Sequence, residues 1–164
     1  DMVKALTASH HGFAFSWNNS GHDSEGAKAI EPINKYYPAS KFARNQSFPA
    51  FGNSSIDSKL GNGSKDDGDR EGGINLGFAW KNVIDESGKW SVTISNDLAK
   101  QEMTVEVTPR RGQNFKLKPG TECRWSASTG VSGTAVADKW GLVTAPRVVL
   151  KAGMETVLTI QAAR

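Results

Sequence analysis

The sequence predicts a mainly β fold: an antiparallel β-sandwich preceded by a short α/β remnant. Two observations lead there. From about residue 42 onward apolar side chains recur at every second position, as in Ile74, Leu76, Phe78 and Trp80 or Met103, Val105 and Val107, which is the period of a half-buried strand. Before that point the order is a helix-like run, a short apolar segment, a polar loop and a second helix-like run. The chain therefore divides into an αβα unit, residues 1–38, and a sandwich, residues 39–164.

In the first unit Met2, Val3, Ala5, Leu6 and Ala8 suit a helix with one buried face, ended at His10-His11-Gly12 with Gly12 as its left-handed cap. Phe13-Ala14-Phe15-Ser16-Trp17 is apolar without alternation, the pattern of a strand buried on both faces in a parallel sheet. The polar loop Asn18 to Asp23 follows, and Ser24 is placed to cap a helix through Ala27, Ile30 and Ile33 that Pro32 is expected to break or restart. One strand and two helices bury too little surface to fold unaided, so this strand is expected to find its sheet neighbours outside the chain.

The sandwich strands are expected at Ile74–Trp80, Trp90–Ile94, Met103–Val107, Phe115–Leu117, Cys123–Ala127, Thr134–Ala137, Leu142–Thr144, Arg147–Leu150 and Thr156–Gln161. Glu86-Ser87-Gly88, Lys118-Pro119-Gly120 and Lys151-Ala152-Gly153 mark turns between them. Short strands without intervening helices resemble the immunoglobulin and fibronectin-III type of sandwich. Trp80, Trp90, Trp125 and Trp140 are assigned to its core. Residues 53–73, rich in Gly, Asp, Ser and Asn, read as a long loop.

Composition excludes several classes. No apolar run approaches the ~20 residues a membrane-spanning helix needs. The formal charge is +3, from 20 Lys+Arg against 17 Asp+Glu, and the signs are interspersed. No basic stripe interleaved with aromatics points to nucleic acid, and Arg110-Arg111 reads as a surface turn. Cys123 is the one cysteine, so no internal disulfide forms, and its apolar neighbours predict a buried, inert thiol. Asn18, Asn45, Asn53 and Asn62 each begin an Asn-x-Ser sequon.

Two places carry candidate chemistry. His22 stands in a Gly-His-Asp turn just after the expected strand, where a rigid support and an exposed ring suit a general base. Asp66, Asp67, Asp69 and Glu71 lie in the Gly-rich loop and offer oxygen ligands of the kind calcium takes, although the EF-hand spacing fails at Asp67. His10 and His11 are adjacent, diverge in any regular conformation, and fit no zinc signature.

The segment from Met2 through the helix after Ser24 resembles the last αβα unit of an α/β-hydrolase, whose catalytic histidine follows the final strand and maps here onto His22. The resemblance implies the carboxyl-terminal part of a secreted or envelope serine hydrolase, esterase- or peptidase-like, acting without a cofactor and partnered by the remainder of its parent. The Gly-x-Ser-x-Gly elbow of that family is absent from the sequence, and Asp1 is the only acidic residue before His22. The alternative is a non-catalytic module that binds carbohydrate on an exposed indole from among Trp17, Trp80, Trp90, Trp125 and Trp140, or a purely structural interaction domain.

Overall fold

A computed structural model of the chain describes residues 2–17, 26–57 and 72–163. Its elements run α1 (Met2–Ala8), β1 (Phe15–Trp17), α2 (Gly26–Tyr36), a 3-10 turn (Ala39–Phe42), β2 (Phe48–Gly52), β3 (Gly72–Ile74), β4 (Phe78–Glu86) and β5 (Lys89–Asn96). They continue with β6 (Met103–Arg110), β7 (Glu122–Ala127), β8 (Ser132–Val136), β9 (Ala145–Leu150) and β10 (Thr156–Ala162). A five-stranded sheet, β4-β5-β10-β7-β8, faces a three-stranded sheet, β2-β6-β9, and every strand pair is antiparallel.

The alternating positions make the core. Trp90, Val92 and Ile94 of β5, with Leu158 and Ile160 of β10, are fully buried in one cluster with Met103, Val105 and Val107 of β6 and Val148 and Leu150 of β9. Burying each such side chain contributes about 1.5–3 kcal/mol. The polar groups caught inside are largely paired: Trp90 Nε1 donates to Ser47 Oγ at 2.9 Å, and Ser47 Oγ donates to the Arg110 carbonyl at 2.8 Å. Strict alternation fails where a bulge intervenes. Arg147 takes φ 51°, so Ala145 and Val148 both reach the core, and Asn82 at φ 52° sits in the register shift of β4.

Several expectations are corrected. The single run Ile74–Trp80 is two strands, because Asn75 at φ 57° and Gly77 at φ 82° turn the chain between them. Phe115 and Val143, each expected in a strand of its own, are buried but lie outside strands. Near Phe115 the Asp85 carboxylate accepts the backbone N–H groups of Gln113, Asn114 and Phe115 at 2.6, 3.1 and 2.7 Å, replacing a sheet ladder with a side-chain cradle. Gly72 and Gly73, expected as loop, belong to β3, and β2 is a strand that the sequence pattern does not predict. Its Pro49 lies opposite Pro109 of β6, a pairing without N–H donors that only a non-hydrogen-bonded pair accommodates. β2 is an edge strand, where such a proline is tolerated.

The amino-terminal part also differs from its expected form. β1 is not in a parallel sheet; it pairs antiparallel with β3 of the same chain, Phe15 opposite Ile74 and Trp17 opposite Gly72. A Cβ at Gly72 would sit 2.2 Å from the Trp17 ring, so glycine lets the indole lie across the strand. The helix α2 passes through Pro32 without breaking and packs on β1, whereas α1 lies against the sandwich, with Thr7 beside Gly52 of β2. The left-handed residue ending α1 is His10, φ 52°, not Gly12. Gly12 is needed for a different reason: a Cβ there would meet the Phe48 ring at 2.7 Å. Tyr37 and Phe42 then seal Trp80, with ring centroids 5.7 and 5.8 Å from it. Among the described residues no helix is long and apolar enough to cross a membrane.

Candidate functional site

His22 lies outside the described residues, as do Asp66, Asp67, Asp69 and Glu71. The site the described residues do build is a groove of about 950 Å³ between α1 and the sandwich. Ala5, Ala8, Ser9 and His11 form one wall; Arg110, at the end of β6, and the loop from Asp138 to Leu142 form the other.

The loop between β8 and β9 is rigid for reasons its sequence makes plain. Asp138 Oδ1 accepts the backbone N–H groups of Trp140 and Leu142 at 2.7 and 2.9 Å, and the Asp138 N–H donates to the Leu142 carbonyl at 2.8 Å. Gly141 closes the turn at φ 74°, and a Cβ there would stand 2.4 Å from the Leu117 carbonyl oxygen. Ala137 and Val143 anchor both ends in the core. The indole of Trp140 is thereby held outward and is 75% exposed, which corrects its assignment to the core. Lys139 Nζ lies 5.2 Å from its ring centroid.

On the opposite wall, the Ser9 hydroxyl donates to the Ala5 carbonyl at 2.6 Å and lies 2.7 Å from His11 Nδ1. That hydroxyl has one proton, so with it given to the Ala5 carbonyl, His11 Nδ1 is the donor of the second bond. Arg110 joins the walls by donating to the Ser9 carbonyl at 3.3 Å. Burial depresses the pKa of its guanidinium, and the Asp138 charge opposes that shift. Arg111 donates to the Phe42 carbonyl and stacks its guanidinium 5.4 Å from the Phe48 ring centroid. Of this pair only Arg111 is the exposed turn residue that the sequence predicts. Arg110 ends a strand and ties the end of α1 to the sandwich, whereas Arg111 is exposed in the bend that follows and holds the 3-10 turn against β2.

No protein-family model, curated protein or solved structure matches this chain. The groove has to be read from its own chemistry. It holds an exposed aromatic face, two cations, one carboxylate half committed to backbone, and an apolar floor. A second groove, of about 630 Å³, runs past Asn45, Gln46, Asn82 and Gln113, but its tryptophan, Trp80, is only 9% exposed against 75% for Trp140. It offers amides without an open stacking face.

No group of three or more His, Cys, Asp or Glu residues among the described residues is arranged to hold a metal ion. Cys123 is free and buried, as its apolar surroundings predict, and burial raises its thiol pKa. Trp80, Trp90 and Trp125 are buried, so Trp140 departs from the four tryptophans assigned to the core. Its signal was present in Asp138-Lys139-Trp140-Gly141: charge before the indole and glycine after it mark a turn, and no period-two pattern surrounds it.

Proposed function

We propose that this chain is the carboxyl-terminal part of a secreted or envelope serine hydrolase, with His22 as general base and the β-sandwich as an accessory domain. The observation that carries the reading is the sheet made by β1 and β3, which has only two strands among the described residues. Such a ribbon is marginal alone, and α/β sheets often end in an antiparallel edge strand, the role β3 takes beside β1 in this reading. The helices nearby keep Met2 and Ile30 64% and 53% exposed, apolar surface that the rest of a catalytic domain would cover. β1 ends at Trp17, so His22 follows it within a few residues, where α/β enzymes carry their chemistry. The four sequons agree with an extracellular or envelope location.

The test uses the parent reading frame carrying an upstream Gly-x-Ser-x-Gly elbow. The parent is expected to hydrolyse short acyl esters, and His22→Ala is expected to reduce turnover at least a thousandfold or so. The present chain alone is expected to be inactive. Full activity in the His22→Ala parent removes the proposal.

A second reading, a carbohydrate-binding sandwich, is favoured by Trp140, whose exposed indole is the stacking platform this reading requires. Both readings are compatible with one protein, since an accessory domain can hold the substrate of the enzyme it accompanies.

A further inference from the structure

We infer that the groove beside Trp140 binds an acidic saccharide, one whose sugar rings carry carboxylates. The inference rests on the carbohydrate-binding reading and names the ligand class. A sugar ring has an apolar face formed by its axial C–H groups, and the Trp140 indole is a flat surface of the right size held open by the Asp138 turn. The volume of about 950 Å³ accommodates a short oligosaccharide.

Charge decides between neutral and acidic sugars. Lys139 and Arg110 line the groove against a single carboxylate, Asp138, whose Oδ1 already accepts two backbone N–H groups. Arg110 spends one N–H on the Ser9 carbonyl and keeps others in its planar fork, the geometry that matches a carboxylate. Lys139 Nζ lies over one face of the indole, 5.2 Å from the ring centroid, so a carboxylate on a sugar stacked against that ring falls within its reach.

The experiment titrates the full chain with trigalacturonate, and in parallel with maltotriose as the neutral control, by calorimetry and tryptophan fluorescence. Trigalacturonate is expected to bind and to weaken as salt rises to about 0.5 M. Trp140→Ala is expected to weaken binding about tenfold or more, and Lys139→Met about threefold or more. Trp140 is an exposed loop side chain, so its variant should keep the wild-type melting temperature, which is checked alongside. Equal affinity for maltotriose overturns the acidic-ligand inference while leaving the carbohydrate-binding reading in place. Binding indifferent to Trp140→Ala overturns the site. Absence of heat and of any fluorescence change at 10-millimolar-order ligand overturns the inference, and the loss of maltotriose binding too would overturn the broader reading.

Discussion

The backbone N–H of Asn75 donates to Oδ1 of Asp57 at 2.8 Å, fixing the corner between β3 and β4 to a carboxylate 18 positions earlier in the chain. Asn75 also donates through Nδ2 to the Phe13 carbonyl at 3.1 Å, and its own carbonyl accepts the Tyr37 hydroxyl at 2.6 Å. One residue thus holds the segment before β1, the end of α2 and the sandwich together. Its left-handed backbone, φ 57°, is a conformation that asparagine tolerates better than most residues.

Burial raises the Asp57 carboxyl from 3.8 to about 6, against the opposing pull of its backbone hydrogen bonds. Between those values the native chain keeps a proton that the unfolded chain has released. The stabilising contribution is therefore complete below the unfolded pKa and is lost as pH rises through about 6. Solvent screening at this partly buried site limits the effect to about 1 kcal/mol. Melting temperature followed from pH 4 to pH 7 should fall for this contribution, and Asp57→Asn, which keeps the acceptor for Asn75, should remove that part of the slope. An unchanged slope in the variant would show that Asp57 does not titrate in this range.

The Asp85 cradle predicts a larger loss from a shorter side chain. Asp85→Ala strips the acceptor from three backbone N–H groups and should cost about 2 kcal/mol in urea unfolding, with an unchanged slope against denaturant. Asp85→Asn retains one acceptor oxygen and should lose less. A variant Asp85→Ala as stable as wild type would mean that water satisfies those groups equally well.

Cys123, buried on β7 with its thiol pKa raised by burial, should resist an aromatic disulfide reagent in the native state. Labelling should appear only as the protein unfolds, with the same denaturant midpoint as the loss of tryptophan signal. Rapid labelling of the folded chain would place the thiol outside the core.

Trp140 should dominate collisional quenching. Acrylamide is expected to quench a component of the wild-type fluorescence that Trp140→Phe largely removes, because Trp80, Trp90 and Trp125 are 9%, 0% and 5% exposed and Trp17 is half-buried. Undiminished quenching in Trp140→Phe would assign the accessible emission to another indole.

Much of the architecture was legible wherever packing obeys a local period. Trp90-Val92-Ile94 and Met103-Val105-Val107 alternate in the sequence and do face one core. The period misleads where a left-handed residue cuts it, as at Asn75 and Gly77, since a turn leaves the apolar pattern on either side intact. β2 is not legible in the sequence because Pro49 argues against a strand, and only its edge position opposite Pro109 makes the proline harmless. For the candidate site, the turn residues around Trp140 were visible, but the groove joins Ser9 to Arg110, 101 positions apart, and no local pattern encodes that meeting.

Short-range periodicity and composition carry the antiparallel β class, most strands of the sandwich, the burial of Cys123 and the change of character before residue 42. Long-range packing sets the rest: β1 pairs with β3, α1 lies against the sandwich, and one tryptophan of the four assigned to the core stands in solvent. Those outcomes depend on which distant surfaces compete for the same apolar contact, and that competition is settled only when the whole chain has packed.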